Sequence, residues 1–226
     1  MTSENKIAFF AIDYSLIGGV QRVTSNLISL FGKNGINVET VFSLFDANGG
    51  PALYYPPHLE FVVLGTRERR AVVDQLSRLL LEKEVRTLIF QGDNMTIALA
   101  ILEACKKAGC RGILHYHGSP YAYLRKYIYA QDISDNPINI LKLLLSKVVY
   151  PFKKRKLRKV LDRAKDGLVC VSEGTAKELR TIFRLTEKQG KNILSIHNPL
   201  TFDVPETLRA DWSQKENALV YVSRLE

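Results

Sequence analysis

An apolar run, Lys6-Ile7-Ala8-Phe9-Phe10-Ala11-Ile12, ends in Asp13 and leads through a short loop to Gly18-Gly19-Val20-Gln21-Arg22. A glycine pair where a strand turns into a helix lets backbone approach a ligand closely, and the first N–H groups of a helix have no partner inside it. That turn is suited to holding an anion, a phosphate above all. A tight turn that merely needs glycine's backbone freedom would look the same at this level. Asp13 either accepts a hydrogen bond from a bound hydroxyl or caps its own loop. The second chemical position is His117, which closes the apolar run 112–117, at the edge where open parallel sheets place their ligands. A histidine that only ends a strand is the alternative reading; His115, two residues earlier, reads as the structural member of the pair.

The elements that must position these residues alternate between two periods. Strands are expected at 6–12, 36–44, 59–64, 86–91, 112–117, 167–171 and 192–196, and helices at 20–33, 67–84, 94–108, 137–150, 153–165 and 173–183. Alternation of this kind predicts an α/β fold: a Rossmann-like, doubly wound, mainly parallel sheet with helices on both faces. Near residue 198 the pattern changes. Residues 1–200 read as one domain, 201–216 as a polar linker, and 217–226 as the first strand of a second domain. No apolar run approaches the roughly 18 residues of a membrane span, and the N-terminus has no signal-peptide layout. Cys105, Cys110 and Cys170 have no metal spacing, and an odd thiol points to a reducing compartment, with the cytoplasm expected.

The chain carries a formal net charge of +9, and residues 142–165 account for all of it, with ten Lys or Arg against Asp162 alone. Pro151 is expected to divide this segment. Beyond it, Leu157, Val160, Leu161 and Ala164 share one face, while Lys153, Lys154, Arg155, Lys156, Arg158 and Lys159 cover the rest. A cationic amphipathic helix suits an anionic membrane surface, where each cation contributes about 1 kcal/mol. The same stripe would also pack on a sheet, and the two roles are compatible. Zinc-finger spacing and RNA-binding aromatic signatures are lacking, so no nucleic acid is expected as a partner.

Taken in order, Gly18-Gly19-Val20-Gln21-Arg22, His117-Gly118, the basic helix running into Gly167-Leu168-Val169-Cys170-Val171-Ser172-Glu173, Ile196-His197-Asn198-Pro199 and Tyr221-Val222-Ser223-Arg224-Leu225 resemble the family 4 glycosyltransferases of the GT-B fold. The resemblance implies that this chain is one half of a GT-B fold, an acceptor-binding domain followed by the opening strand of the donor domain. It implies a retaining transferase that moves a sugar from a nucleotide-diphosphate donor to a glycan or lipid-linked acceptor in polysaccharide or lipopolysaccharide synthesis. In that frame Gly18, Gly19 and Arg224 face the donor diphosphate, and Asp13 and Gln21 face the acceptor. His117 lies beside the transferred sugar as the catalytic residue. Ser223 stands where the family usually has glycine. The family's lysine after the Arg224 position and its E-x7-E segment do not occur, so the chain by itself is expected to be inactive. No D-x-D-type cluster follows a strand, so neither metal nor other cofactor is expected. The implied location is cytoplasmic, peripheral on the inner face of the plasma membrane. A nucleotide-sugar epimerase of the same architecture, or a non-catalytic membrane-associated module, are the alternatives.

Overall fold

The structure, a computed structural model, describes residues 6–51, 55–56, 58–125 and 137–198. The expected linker, the strand at 217–226 and Arg224 lie outside the described residues. In chain order the elements are β1 (Ile7–Asp13), α1 (Gly19–Lys33), β2 (Val38–Phe45), β3 (Glu60–Val63), α2 (Arg69–Glu82), β4 (Thr87–Gln91), α3 (Met95–Ala108) and β5 (Arg111–Tyr116). They continue with α4 (Pro120–Arg125), α5 (Pro137–Arg163), β6 (Leu168–Cys170), α6 (Glu173–Phe183), α7 (Glu187–Gly190) and β7 (Ile193–Ser195).

The seven strands form one sheet in the order β3-β2-β1-β4-β5-β6-β7, and every pair is parallel. The sheet grows outward from β1 in one direction, then reverses at β4, which pairs with the other side of β1. That reversal leaves a crevice beyond the carboxyl ends of β1 and β4, where ligands of open α/β sheets bind.

The apolar strands are explained by burial on both faces. Ala8 and Phe10 of β1 join Phe42, Leu88, Phe90 and Leu114 in a large core. Phe9 and Ala11 point the other way, onto Ile28 of α1 and Val41. Helix α3 lies close against β5 because Gly112 carries no side chain; a Cβ there would stand 3.0 Å from Leu102 Cδ2. Asn94 caps α3, its Oδ1 accepting from the N–H groups of Thr96 and Ile97, and Gly109 ends it at φ 66°. Ser172 caps α6 in the same manner.

Pro151 does not divide the basic segment. Helix α5 runs unbroken from Pro137 to Arg163 with Pro151 inside it. The proline is exposed, so water can serve the carbonyl that loses its helical partner. Leu157, Val160 and Ala164 are buried in the core, so the expected apolar stripe packs on the sheet.

Candidate functional site

Three strand ends build the site. After β1, Asp13 turns its carboxylate back on its own loop: Oδ1 accepts from the Ser15 N–H at 3.0 Å and the Ser15 hydroxyl at 2.6 Å. The Ser15 Oγ in turn accepts from the N–H groups of Ala47 and Asn48, and Asn48 Nδ2 donates to the Ser15 carbonyl. Asp13 thereby pins the loop after β2 to the loop after β1.

Gln21 sits in the first turn of α1. Its Nε2 donates to the Asp13 carbonyl at 2.7 Å, so its carboxamide latches the strand end to the helix start. Gly18 is the N-cap and no side chain caps the helix. A Cβ on Gly18 would lie 2.6 Å from Gln21 Oε1, whereas one on Gly19 would meet nothing within 4 Å. Gly18 is therefore needed by the latch, and Gly19 presents bare, exposed backbone. Ile17, 67% exposed, projects from the same loop.

Across the crevice, β4 ends in Gln91, a buried polar side chain in an apolar strand. Its Oε1 lies 2.8 Å from His115 Nδ1 and 2.7 Å from His117 Nε2. The two imidazoles stand 4.5 Å apart. One carbonyl oxygen accepting from both rings fixes both tautomers, with the protons on His115 Nδ1 and His117 Nε2. Burial pushes the pKa of His115 down to about 4, helped by the neighbouring His117. Burial does the same to His117, also down to about 4, with Asp93 opposing the shift. Both rings are neutral at pH 7, and His117 Nδ1 keeps a lone pair able to accept a hydrogen bond. Gln91 Nε2 and His115 Nε2 are buried without a partner, an arrangement that costs stability and concentrates at working sites.

The loop beyond His117 is held from two sides. Gly118 gives room to Asp93; a Cβ there would stand 3.0 Å from both Asp93 Cβ and Oδ2. Glu178 of α6 accepts from the Ser119 hydroxyl at 2.8 Å and the Tyr121 N–H at 3.2 Å, which anchors the start of α4. Beside this loop a cavity of 580 Å³ opens between α3, α4 and α5, bordered by Asp93, Thr96, Ser119, Tyr123 and Lys153. A second cavity, of 540 Å³, lies at the opposite edge of the sheet against Cys110, Gly112 and Asp166. Among the described residues no group of three His, Cys, Asp or Glu is placed to hold a metal.

Asp13, Gly18, Gly19, Gln21 and His117 therefore all stand at the carboxyl edge, with β4 alone separating β1 from β5. Gln91, Asp93 and Glu178 belong with them and were not singled out from sequence. A polar residue closing an otherwise apolar strand, Thr87-Leu88-Ile89-Phe90-Gln91, was the available signal for the first.

The six cations separate into two groups. Lys153 donates to the Tyr123 carbonyl at 3.1 Å, Lys154 lies 5.9 Å from the Phe183 ring, and Arg158 pairs with Asp162 at 3.0 Å. Lys156 donates to the Thr96 hydroxyl at 3.1 Å, and Arg155 and Lys159 form the second, exposed group.

The model of Glycosyltransferase Family 4 matches residues 17–200. The chain belongs to that family. Among curated protein sequences none matches significantly. Among solved structures, this family 4 chain is similar to the lipopolysaccharide outer core galactosyltransferase WaaB in its apo form, at 18% identity and a TM-score of 0.57. The match covers 90% of this chain and 50% of that one. It is also similar to Anabaena HepE in complex with UDP and glucose, at 10% identity and a TM-score of 0.52, covering 85% of this chain and 44% of that one. At these identities the likeness concerns the fold, and the GT-B architecture of these neighbours accounts for the seven-stranded sheet. The family 4 chain spans about half the length of the structures it matches.

Proposed function

We propose that this family 4 chain supplies the acceptor-side wall of a retaining glycosyltransferase that uses a nucleotide-diphosphate sugar. The observation that carries the reading is the placement at one sheet edge, with β4 between them, of a helix start at Gly19 that no side chain caps and a neutral His117. The amide groups opening α1 offset diphosphate charge without a metal. Arg224, outside the described residues, adds a guanidinium to the same phosphates. His117 Nδ1 accepts a hydrogen bond from a hydroxyl of the transferred sugar and so orients it. Because the ring is neutral, it adds no cation beside an anomeric carbon that gains positive charge in the transition state. Exposed Ile17 suits contact with a second wall.

HepE, a structural neighbour, binds UDP and glucose, and UDP-sugars are the first donors to try. The acceptor is a glycan or a lipid-linked sugar entering the cavity beside Ser119 and Tyr123, and the pathway is cell-surface polysaccharide or lipopolysaccharide assembly. The cationic outer face of α5 holds the protein peripherally on the cytoplasmic face of the plasma membrane. The experiment is sugar transfer from a panel of nucleotide-diphosphate sugars by the enzyme that carries this chain. His117→Ala is expected to lower kcat roughly a hundredfold or more while leaving the thermal midpoint close to wild type. Transfer that survives His117→Ala unchanged contradicts the assignment.

A further inference from the structure

Helix α5 is longer than the sheet it packs on. Its 27 residues span about 40 Å, twice the roughly 20 Å of six-residue β5. The two ends can be located. Just past the C-terminal end, Asp166 accepts from the Gly112 N–H at the start of β5, so that end lies at the amino edge. Lys156 donates to the Thr96 hydroxyl at the start of α3, and Lys153 to the Tyr123 carbonyl in α4, both at the carboxyl edge. The helix before Lys153 therefore extends past the carboxyl edge, the edge that carries His117.

On that extension Leu145, Val148, Val149 and Phe152 are 54%, 63%, 41% and 68% exposed. Their spacing, i, i+3, i+4 and i+7, puts them on one helix face. Single exposed apolar residues are ordinary, but four large ones in a contiguous stripe mark a contact surface. The same face continues into exposed Arg155 and Lys159, while Lys156 and Arg163 beside them engage Thr96 and Glu103 of α3. An apolar stripe leading into cations on one helix face matches the cross-section of an anionic lipid surface, with acyl chains below the headgroup charge.

We propose that the exposed face of α5 docks on an anionic membrane, with Leu145, Val148, Val149 and Phe152 inserted among the acyl chains and Arg155 and Lys159 on the headgroups. This deepens the membrane part of the proposed function and rests on it, but not on sugar transfer. A second copy of the chain is a poorer occupant. Two copies meeting through this face would oppose two strongly cationic segments, each with ten Lys or Arg against one acid over residues 142–165. Docking through this face sets the bilayer alongside α5, whose Lys153 borders the cavity beside Ser119 and Tyr123, so the membrane lies next to the proposed acceptor entry.

The test is flotation of the chain with vesicles of phosphatidylglycerol and phosphatidylcholine in equal parts, against vesicles of phosphatidylcholine alone. The chain is expected to bind the anionic vesicles about tenfold or more tightly, and to keep part of that binding at about 1 M salt, where charge contacts are screened. Val148→Asp combined with Phe152→Asp is expected to lower anionic-vesicle affinity about tenfold or more with an unchanged thermal midpoint. Phe152→Trp is expected to shift its fluorescence to the blue on binding. Equal affinity for both vesicle types overturns the proposal, as does binding lost in Arg155→Glu with Lys159→Glu but untouched by the apolar double variant. Phe152-dependent dimerisation in sedimentation velocity also overturns it and gives the face to a second copy. An enzyme that transfers sugar yet ignores vesicles contradicts this inference alone; vesicle binding without sugar transfer supports it and contradicts the catalytic reading instead.

Discussion

Gly18 and Gly19 divide the work of the first turn between them. Gly18 makes room for Gln21, whose carboxamide latches β1 to α1, while Gly19 keeps the helix start open. Gly18→Ala is expected to cost about 1 kcal/mol, the worth of the displaced Gln21–Asp13 hydrogen bond. Gly19→Ala meets no atom and replaces glycine with a better helix former. Its thermal midpoint is therefore expected to equal or exceed wild type, while diphosphate affinity falls about tenfold because the Cβ occupies the approach of the phosphate. Calorimetry with a nucleoside diphosphate, beside a thermal melt, separates the two. The histidine pair makes a pH prediction. His115 and His117 titrate near 4 in the fold against about 6.5 unfolded. The unfolded chain thus takes up protons first, and the stability present above pH 6.5 is lost as pH falls toward 4. A thermal midpoint that stays flat between pH 6.5 and 5 contradicts this. Gln91→Glu puts a carboxylate in place of the bridging amide oxygen. It is expected to raise the His117 pKa, visible as an upward move of its ring signals in an NMR titration; an unmoved titration means Gln91 does not govern that ring.

At the scale of elements, helix α5 joins two jobs along one rod. Its C-terminal half buries Leu157, Val160 and Ala164, and its N-terminal half carries an exposed apolar stripe turned by about 100° from that buried face. Leu157→Ala is expected to cost about 2–5 kcal/mol in denaturant unfolding, whereas Phe152→Ala stays within about 0.5 kcal/mol. A large loss at Phe152 would mean that the outer stripe is core. Pro151→Ala, which restores an N–H in mid-helix, is expected to raise the thermal midpoint. This helix also marks what could be read in advance. The strands were legible because burial on both faces forces unbroken apolar runs such as Phe9-Phe10-Ala11. Pro151 was misleading, because whether a proline breaks a helix depends on what surrounds the carbonyl one turn before it. Helices α4 and α7 were too short to show a period; α4 is held by Glu178, whose contact spans 59 positions from Ser119. His117 could be picked out at a strand end, but its tie to Gln91 is a register effect. The strands pair Gln91 with His115 only once β4 lies beside β5.

For the whole molecule, the winding of the sheet makes the site. Two strands far apart in sequence, β1 and β4, become neighbours at the reversal, and their loops, with that of β5, face one crevice. Helix α1 aims its N-terminus at it, α6 braces its far side through Glu178, and α5 extends beside it. The central claim is that this edge, and not the cavity at Cys110 and Asp166, receives the donor diphosphate. Amide chemical shifts of the chain titrated with UDP test it most directly. The account predicts that the perturbed amides cluster at Gly18, Gly19, Val20 and Gln21 and around His117. Shifts confined to the surroundings of Cys110 and Asp166, with Gly19 unmoved, would contradict it.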